Sequence, residues 1–268
     1  MPIASSELRI GTSGDVWLWG VRVVSMKGLG GDAMPVALVT GVGRSLGIGA
    51  SVTAALRGDG WRVLTAGWRG YDRRMPWGAD DVALADIEAD LADPSTPDSL
   101  FSHANQVVGT VSALICCHCE SVDSAILDTT VESFDRHFAI NARATWLLIK
   151  AFAEQFTGAP GSGRVVAITS DHTAFNLPYG ASKGAMDRIV LAAAVELASS
   201  GIAANVVNPG ATDTGWMDTA TETQVRARNL QSRVGTPADC ANLVRFLCSP
   251  AGQWINGQVL HSDGGLHH

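Results

Sequence analysis

A chain of 268 residues with 46% hydrophobic content is long enough for one enzyme-sized α/β domain and apolar enough to give it a buried core. Its formal charge of −7, spread over 26 acidic and 19 basic residues, leaves no basic stripe to neutralise phosphates, which argues against nucleic acid as a partner. No apolar run approaches the roughly 20 residues that span a bilayer, and five cysteines, three of them clustered, make no disulfide framework, so no membrane partner and a cytoplasmic location are expected.

Residues 1–33 are rich in Gly and Ser and lack sustained periodicity, so they are expected to be a poorly ordered or appended N-terminal extension. A functional arm and an internal start at Met34 are both compatible with them. From residue 34 to 268 the pattern is that of a single domain. Short apolar runs, VALVT (36–40), WRVLTA (61–66), VSALIC (111–116), GRVVAIT (163–169), IAANVVNP (202–209) and GQVLHSD (257–263), alternate with helical periodicity over 49–60, 129–156 and 179–201. Such alternation predicts an α/β fold, a Rossmann-type doubly wound parallel sheet with helices on both faces. Ligands in that fold sit beyond the carboxyl ends of the strands, so the residues where each strand stops carry the functional information.

The first strand runs into Gly41, Gly43, Gly47, Ile48 and Gly49 before a helix begins. Glycines there let backbone N–H groups approach a pyrophosphate at the helix N-terminus, where the dipole favours negative charge. An acid ending the second strand would hold the ribose of NAD, whereas arginine would accept the extra phosphate of NADP. The second strand ends at Gly67, followed by Trp68 and Arg69, and Arg44 lies in the glycine loop. NADP(H) is therefore favoured over NAD(H), with Asp72 keeping NAD open.

YGASK places Tyr179 and Lys183 four residues apart near a helix start, on one face. A nearby ammonium would favour the phenolate and pull the tyrosine pKa down toward working pH. The preceding strand supplies the hydroxyl of Ser170. Taken together these motifs resemble the short-chain dehydrogenase/reductase family over about residues 35–265, in its 3-oxoacyl-ACP-reductase-like branch. The resemblance implies hydride transfer between nicotinamide and a carbonyl/alcohol pair, a ketone such as a 3-oxoacyl group. It assigns Asn141, Ser170, Tyr179 and Lys183 to catalysis, and the glycine loop, Trp68, Arg69, Asp90, Leu91, Tyr179 and Lys183 to the cofactor. Pro209, Gly210, Thr212 and Thr214 match its segment after the sixth strand. The segment 215–233, with Trp216 and Met217, would be a mobile lid over a small-molecule substrate, and the family's habit is a homodimer or homotetramer.

Three departures stand out. Cys116, Cys117, His118 and Cys119 occupy the places of the family's Asn-Asn-Ala-Gly. Strand alternation sends them to opposite faces, so they cannot close around one tetrahedral zinc, and no metal is expected. They read as small buried groups, with Cys117, His118 or Cys119 bordering the cofactor ribose. Ser170 precedes Tyr179 by nine residues where the family has about thirteen, which either opens the pocket or displaces Ser170 and brings Asp171, His172 or Thr173 near the carbonyl. Five residues separate Gly41 from Gly47 instead of the family's three. The departures also support an alternative, a non-catalytic dinucleotide-binding sensor or scaffold.

Overall fold

Val36–Thr40 (β1) is five apolar or β-branched residues with every position buried, the pattern of a strand covered on both faces. The computed structural model describes residues 34–266 and, ahead of them, three short strands, Arg9–Ile10, Val16–Leu18 and Val21–Val23, paired antiparallel. The chain divides into two compact units, Met1–Met34 and Pro35–His268. The expected poor order of residues 1–33 falls mostly on residues outside the described ones.

In the larger unit β1 is followed by α1 (Ile48–Gly58), β2 (Arg62–Gly67), α2 (Arg69–Asp72), β3 (Ile87–Glu88), α3 (Thr96–Val107) and β4 (Ala113–Cys116). Next come α4 (Val131–His137), a π-helical turn at Phe138–Arg143, α5 (Ala144–Gln155), β5 (Gly163–Ile168) and α6 (Leu177–Glu196). The chain continues through β6 (Ile202–Asn208), α7 (Thr219–Arg228), α8 (Pro237–Cys248) and β7 (Val259–His261). The seven strands form one parallel sheet in the order β7-β6-β5-β4-β1-β2-β3. The order reverses between β1 and β4, the switch point at which this fold opens a crevice. Strand β3 is only two residues long, which is why apolar periodicity does not reveal it.

Residue alternation along the strands divides the core in two. Leu38, Leu114 and Val165 pack with Leu148 and Phe152 of α5 and Val190 of α6 on one face. Val39, Ile115 and Val166 pack with Leu56 of α1 and Val244 and Leu247 of α8 on the other. The predicted helix over 129–156 is a continuous run interrupted by the π turn. Cys116 joins the first half of the core and Cys117 borders the second, following the expected alternation. Among the described residues no helix is long and apolar enough to cross a membrane.

Candidate active site

At the switch point, β1 turns through Gly41 into α1. Gly41 has φ +78°, and a Cβ there would lie 2.4 Å from the Cys117 carbonyl carbon and the His118 nitrogen, so only glycine lets the loop pass this close to β4. Gly47 caps α1 without a side-chain bond, and its first turn carries no acidic residue. The free N–H groups and the dipole there suit an anion. A cleft next to them is lined by Gly41, Gly43, Arg44, Gly47, Ile48, Gly49, Trp68, Asp90, Leu91, Cys117, His118 and Thr214, all of them expected from the sequence. The glycine cradle and the uncapped helix fit a dinucleotide pyrophosphate.

The wall beyond the glycine loop was not legible in advance. Arg44 Nε lies 3.3 Å from Asp72 Oδ1, and its guanidinium stacks over Trp77 at 4.8 Å. Trp77 Nε1 donates to the same Asp72 oxygen at 3.2 Å. The loop N–H of Ser45 donates to Asp80 Oδ2 at 2.7 Å. Burial raises the Asp72 pKa above the usual carboxylate range, against the lowering by Trp77 and Arg44. Arg69 does not line the cleft as expected; its guanidinium donates to the Asp80 and Asp81 carbonyls.

Across the cleft the Glu120 carboxylate, almost fully buried, accepts from Arg74 at 2.9 and 3.0 Å and from Arg136 at 3.3 Å. Arg136 also reaches Asp90 at 3.4 Å. Both guanidiniums face the Trp68 ring, at 5.5 and 4.7 Å. Tyr71 ties the same wall to the Ser121 carbonyl at 3.1 Å. Arg74, Glu120 and Arg136 are far apart in the chain and share no spacing, so only the fold brings them together.

The four candidate catalytic groups, Ser170 just past β5, Tyr179 and Lys183 in α6 and Asn141 in the π turn, gather beside this cleft, and none of them is in its lining. Tyr179 and Ser170 are joined through His172, whose N–H donates to Ser170 Oγ and whose ring lies edge-on to Tyr179. Lys183, 2% exposed, donates from Nζ to the Ile168 carbonyl at 2.7 Å and to the His118 carbonyl at 3.4 Å. Its Nζ lies 5.8 Å from the Tyr179 ring centre. Asn141, at the centre of the π turn, holds both backbone groups of Glu120, accepting from its N–H at 2.8 Å and donating to its carbonyl at 2.9 Å. Its amide also donates to Ser182 Oγ at 2.8 Å, on the helix turn between Tyr179 and Lys183.

The balance of forces on Tyr179 differs from the expected one. Burial dominates and raises its pKa above the usual phenol value, while Ser170 opposes that rise. Lys183 is itself lowered by burial. The phenol is therefore held protonated at neutral pH. Cys119, expected to border the cofactor, lines the cleft with its thiol pushed up by burial.

The short loop between Ser170 and Tyr179 closes without separating them. The His172 N–H donates to Ser170 Oγ at 3.2 Å, and the His172 ring meets Tyr179 edge-on at 6.4 Å. A Cβ at position 180 would lie 1.9 Å from the His172 carbonyl oxygen, so Gly180 is what lets the loop lie against α6. Pro209, Gly210 and Thr212 follow β6, with Thr212 Oγ1 donating to the Pro209 carbonyl at 3.1 Å. They hold that turn and stand outside the cleft wall, where Thr214 lies. Trp216 Nε1 donates to the Thr212 carbonyl at 3.0 Å, which anchors the start of the expected lid segment.

A family model described as Enoyl-(Acyl carrier protein) reductase matches residues 41–267. The chain is 30% identical to Uncharacterized oxidoreductase YjdA of Bacillus subtilis (strain 168), over 86% of this chain and 96% of that one. It is also 30% identical to NADPH-dependent aldehyde reductase 2, chloroplastic, of Arabidopsis thaliana, over 86% and 93%. Among solved structures, a short chain dehydrogenase from Burkholderia cenocepacia J2315 in complex with NADP superposes with a TM-score of 0.74 at 28% identity, covering 88% of this chain and 99% of that one. With the fold, the glycine cradle and the Ser-Tyr-Lys cluster, these matches define the chain as a member of the short-chain dehydrogenase/reductase family, oxidoreductases acting on CH–OH and carbonyl groups.

Proposed function

We propose that this protein is an NADP(H)-dependent reductase of ketones, with 3-oxoacyl groups as the favoured substrate class. The observation that carries the reading is the buried Lys183, its Nζ 5.8 Å from the Tyr179 ring centre and bonded to the Ile168 carbonyl at the end of the strand that leads to Ser170. Nicotinamide, when bound, supplies the hydride. Tyr179 donates its proton to the substrate oxygen, and Ser170 orients that oxygen. A phenol held protonated by its surroundings is in the state that reduction requires of a proton donor. Lys183 holds the cofactor ribose and draws the tyrosine proton toward transfer, while Asn141 supports the water through which protons are replaced.

The preference for NADP(H) rests on Arg44, which would exchange the Asp72 carboxylate for the 2′-phosphate, and on the NADPH and NADP in the names of the Arabidopsis and Burkholderia proteins. Arg69 is left out of this role. Titration with NADPH and NADH, followed by reduced-nicotinamide fluorescence, tests it. Tighter NADPH binding that is lost in Arg44→Ala is expected; equal binding of both nucleotides, unchanged by the substitution, contradicts it. Assembly as a homodimer or homotetramer belongs to the same proposal. Phe134 and Trp146 leave apolar surface exposed on α4 and α5, and sedimentation velocity reads the mass.

A further inference from the structure

His118 is buried at 6% exposure where the family pattern has alanine, and its ring is fully engaged. Nδ1 lies 2.7 Å from Thr40 Oγ1 at the end of β1, and Nε2 lies 3.3 Å from Thr145 Oγ1 on the first turn of α5. Thr145 donates its own proton to the Asn141 carbonyl at 2.9 Å. The network then assigns the tautomer: Nε2 carries the hydrogen and donates to Thr145, and Nδ1 accepts from Thr40. Burial holds the ring neutral, with its pKa lowered to about 3.

The partners of this ring belong to one device. Asn141 lies inside the π turn, Phe138–Arg143. A π turn pulls its carbonyls out of the α-helical alignment, which makes it dependent on support from outside the helix. Thr145, held by the His118 ring, supplies that support on the carbonyl of Asn141, the residue whose side-chain amide binds Glu120 and Ser182. The His118 main chain adds a second link, since its carbonyl accepts from Lys183 Nζ.

We propose that His118 is a positioning residue for the reaction: its ring props the π turn, and through that turn fixes Asn141 and the catalytic lysine's surroundings. His118 also lines the cofactor cleft, and supporting the π turn is a further task of its side chain. Its catalytic consequence rests on the reductase reading.

The test compares the full chain with His118→Ala and His118→Gln, the second retaining a donor near the position of Nε2. Amide exchange is read first. In His118→Ala, exchange over 138–145 is expected to rise about tenfold or more while β5 and β6 stay as in the wild type, and His118→Gln restores most of the protection. With NADPH and a ketone substrate, kcat in His118→Ala is expected to fall by about ten- to a hundredfold, as for a small misplacement of a reacting group, with substrate KM and the NADPH dissociation constant within about threefold. His118→Gln recovers most of it. Exchange over 138–145 equal to the wild type, or rising equally across the sheet, overturns the proposal, as does a Gln variant no better than Ala. If the wild type reduces no carbonyl with NADPH, the reductase reading fails, and the exchange comparison still decides whether His118 props the turn.

Discussion

The Lys183 ammonium donates to the Ile168 carbonyl at 2.7 Å, a bond from the helix of Tyr179 to the end of the strand that leads to Ser170. A buried ammonium is tolerated only where acceptors replace water, and two carbonyls do so here. Lys183→Met keeps much of the packing and removes the donors. Turnover is expected to fall by about 10²- to 10⁴-fold, the range of an acid–base contribution. Two carbonyls left short of a donor cost roughly 1–3 kcal/mol each at most. Steady-state kinetics and a denaturant titration check the two effects separately.

Gly180 carries a sharper prediction. A Cβ there meets the His172 carbonyl oxygen at 1.9 Å, and backbone cannot yield as a side-chain tip does. Gly180→Ala is expected to push the 171–176 loop off α6 and to lower stability by about 1–3 kcal/mol, as overpacking does. It should also break the link from Ser170 to Tyr179 through His172. Urea midpoints and turnover report on it, and a variant with wild-type values for both excludes this account of the short loop.

Two buried histidines contribute to the loss of stability in acid. His118 is lowered to about 3 and His137 is lowered as well, in both cases mainly by burial. The unfolded chain binds protons near pH 6.5 while the folded chain does not, so stability falls as pH drops below that value. His118→Gln removes one such proton. Between about pH 6 and pH 4 its stability should fall less steeply than the wild type's, by about 1.4 kcal/mol per pH unit. Denaturant titrations at several pH values give the difference in slope.

Asp72 competes for Arg44. With that carboxylate 3.3 Å from Arg44 Nε, a phosphate must displace it to gain the guanidinium. Asp72→Asn is expected to tighten NADPH severalfold and to leave NADH nearly unchanged, read by nicotinamide fluorescence. Loss of NADH affinity in the same variant would instead place Asp72 on the ribose hydroxyls.

Local signals made much of this protein legible. β1, the Gly41 turn and α1 announce themselves because a buried strand, a glycine loop and a helix are contiguous, and Tyr179 and Lys183 because helix geometry fixes their spacing. What escaped depends on distant partners. Arg69 and Arg44 look alike as loop arginines, yet one is taken by the carbonyls of Asp80 and Asp81 while the other faces the cleft. The Arg74–Glu120–Arg136 cluster joins residues 46 and 16 positions apart. The π turn around Asn141 changes no composition and no apolar period that a sequence reading could register. The raised Tyr179 pKa follows from burial, which outweighs the lysine that the motif brings to mind.

The proposed role of Tyr179 is that of proton donor in an NADPH-dependent carbonyl reduction. The most direct measurement follows NADPH oxidation by wild type and Tyr179→Phe against a panel of ketones that includes 3-oxoacyl thioesters, with NADPH binding measured in parallel. Turnover by the wild type, a loss of about 10²-fold or more in Tyr179→Phe, and unchanged nucleotide affinity are expected. A phenylalanine variant that turns over at the wild-type rate, or a wild type that binds NADPH and reduces none of the panel, would contradict it.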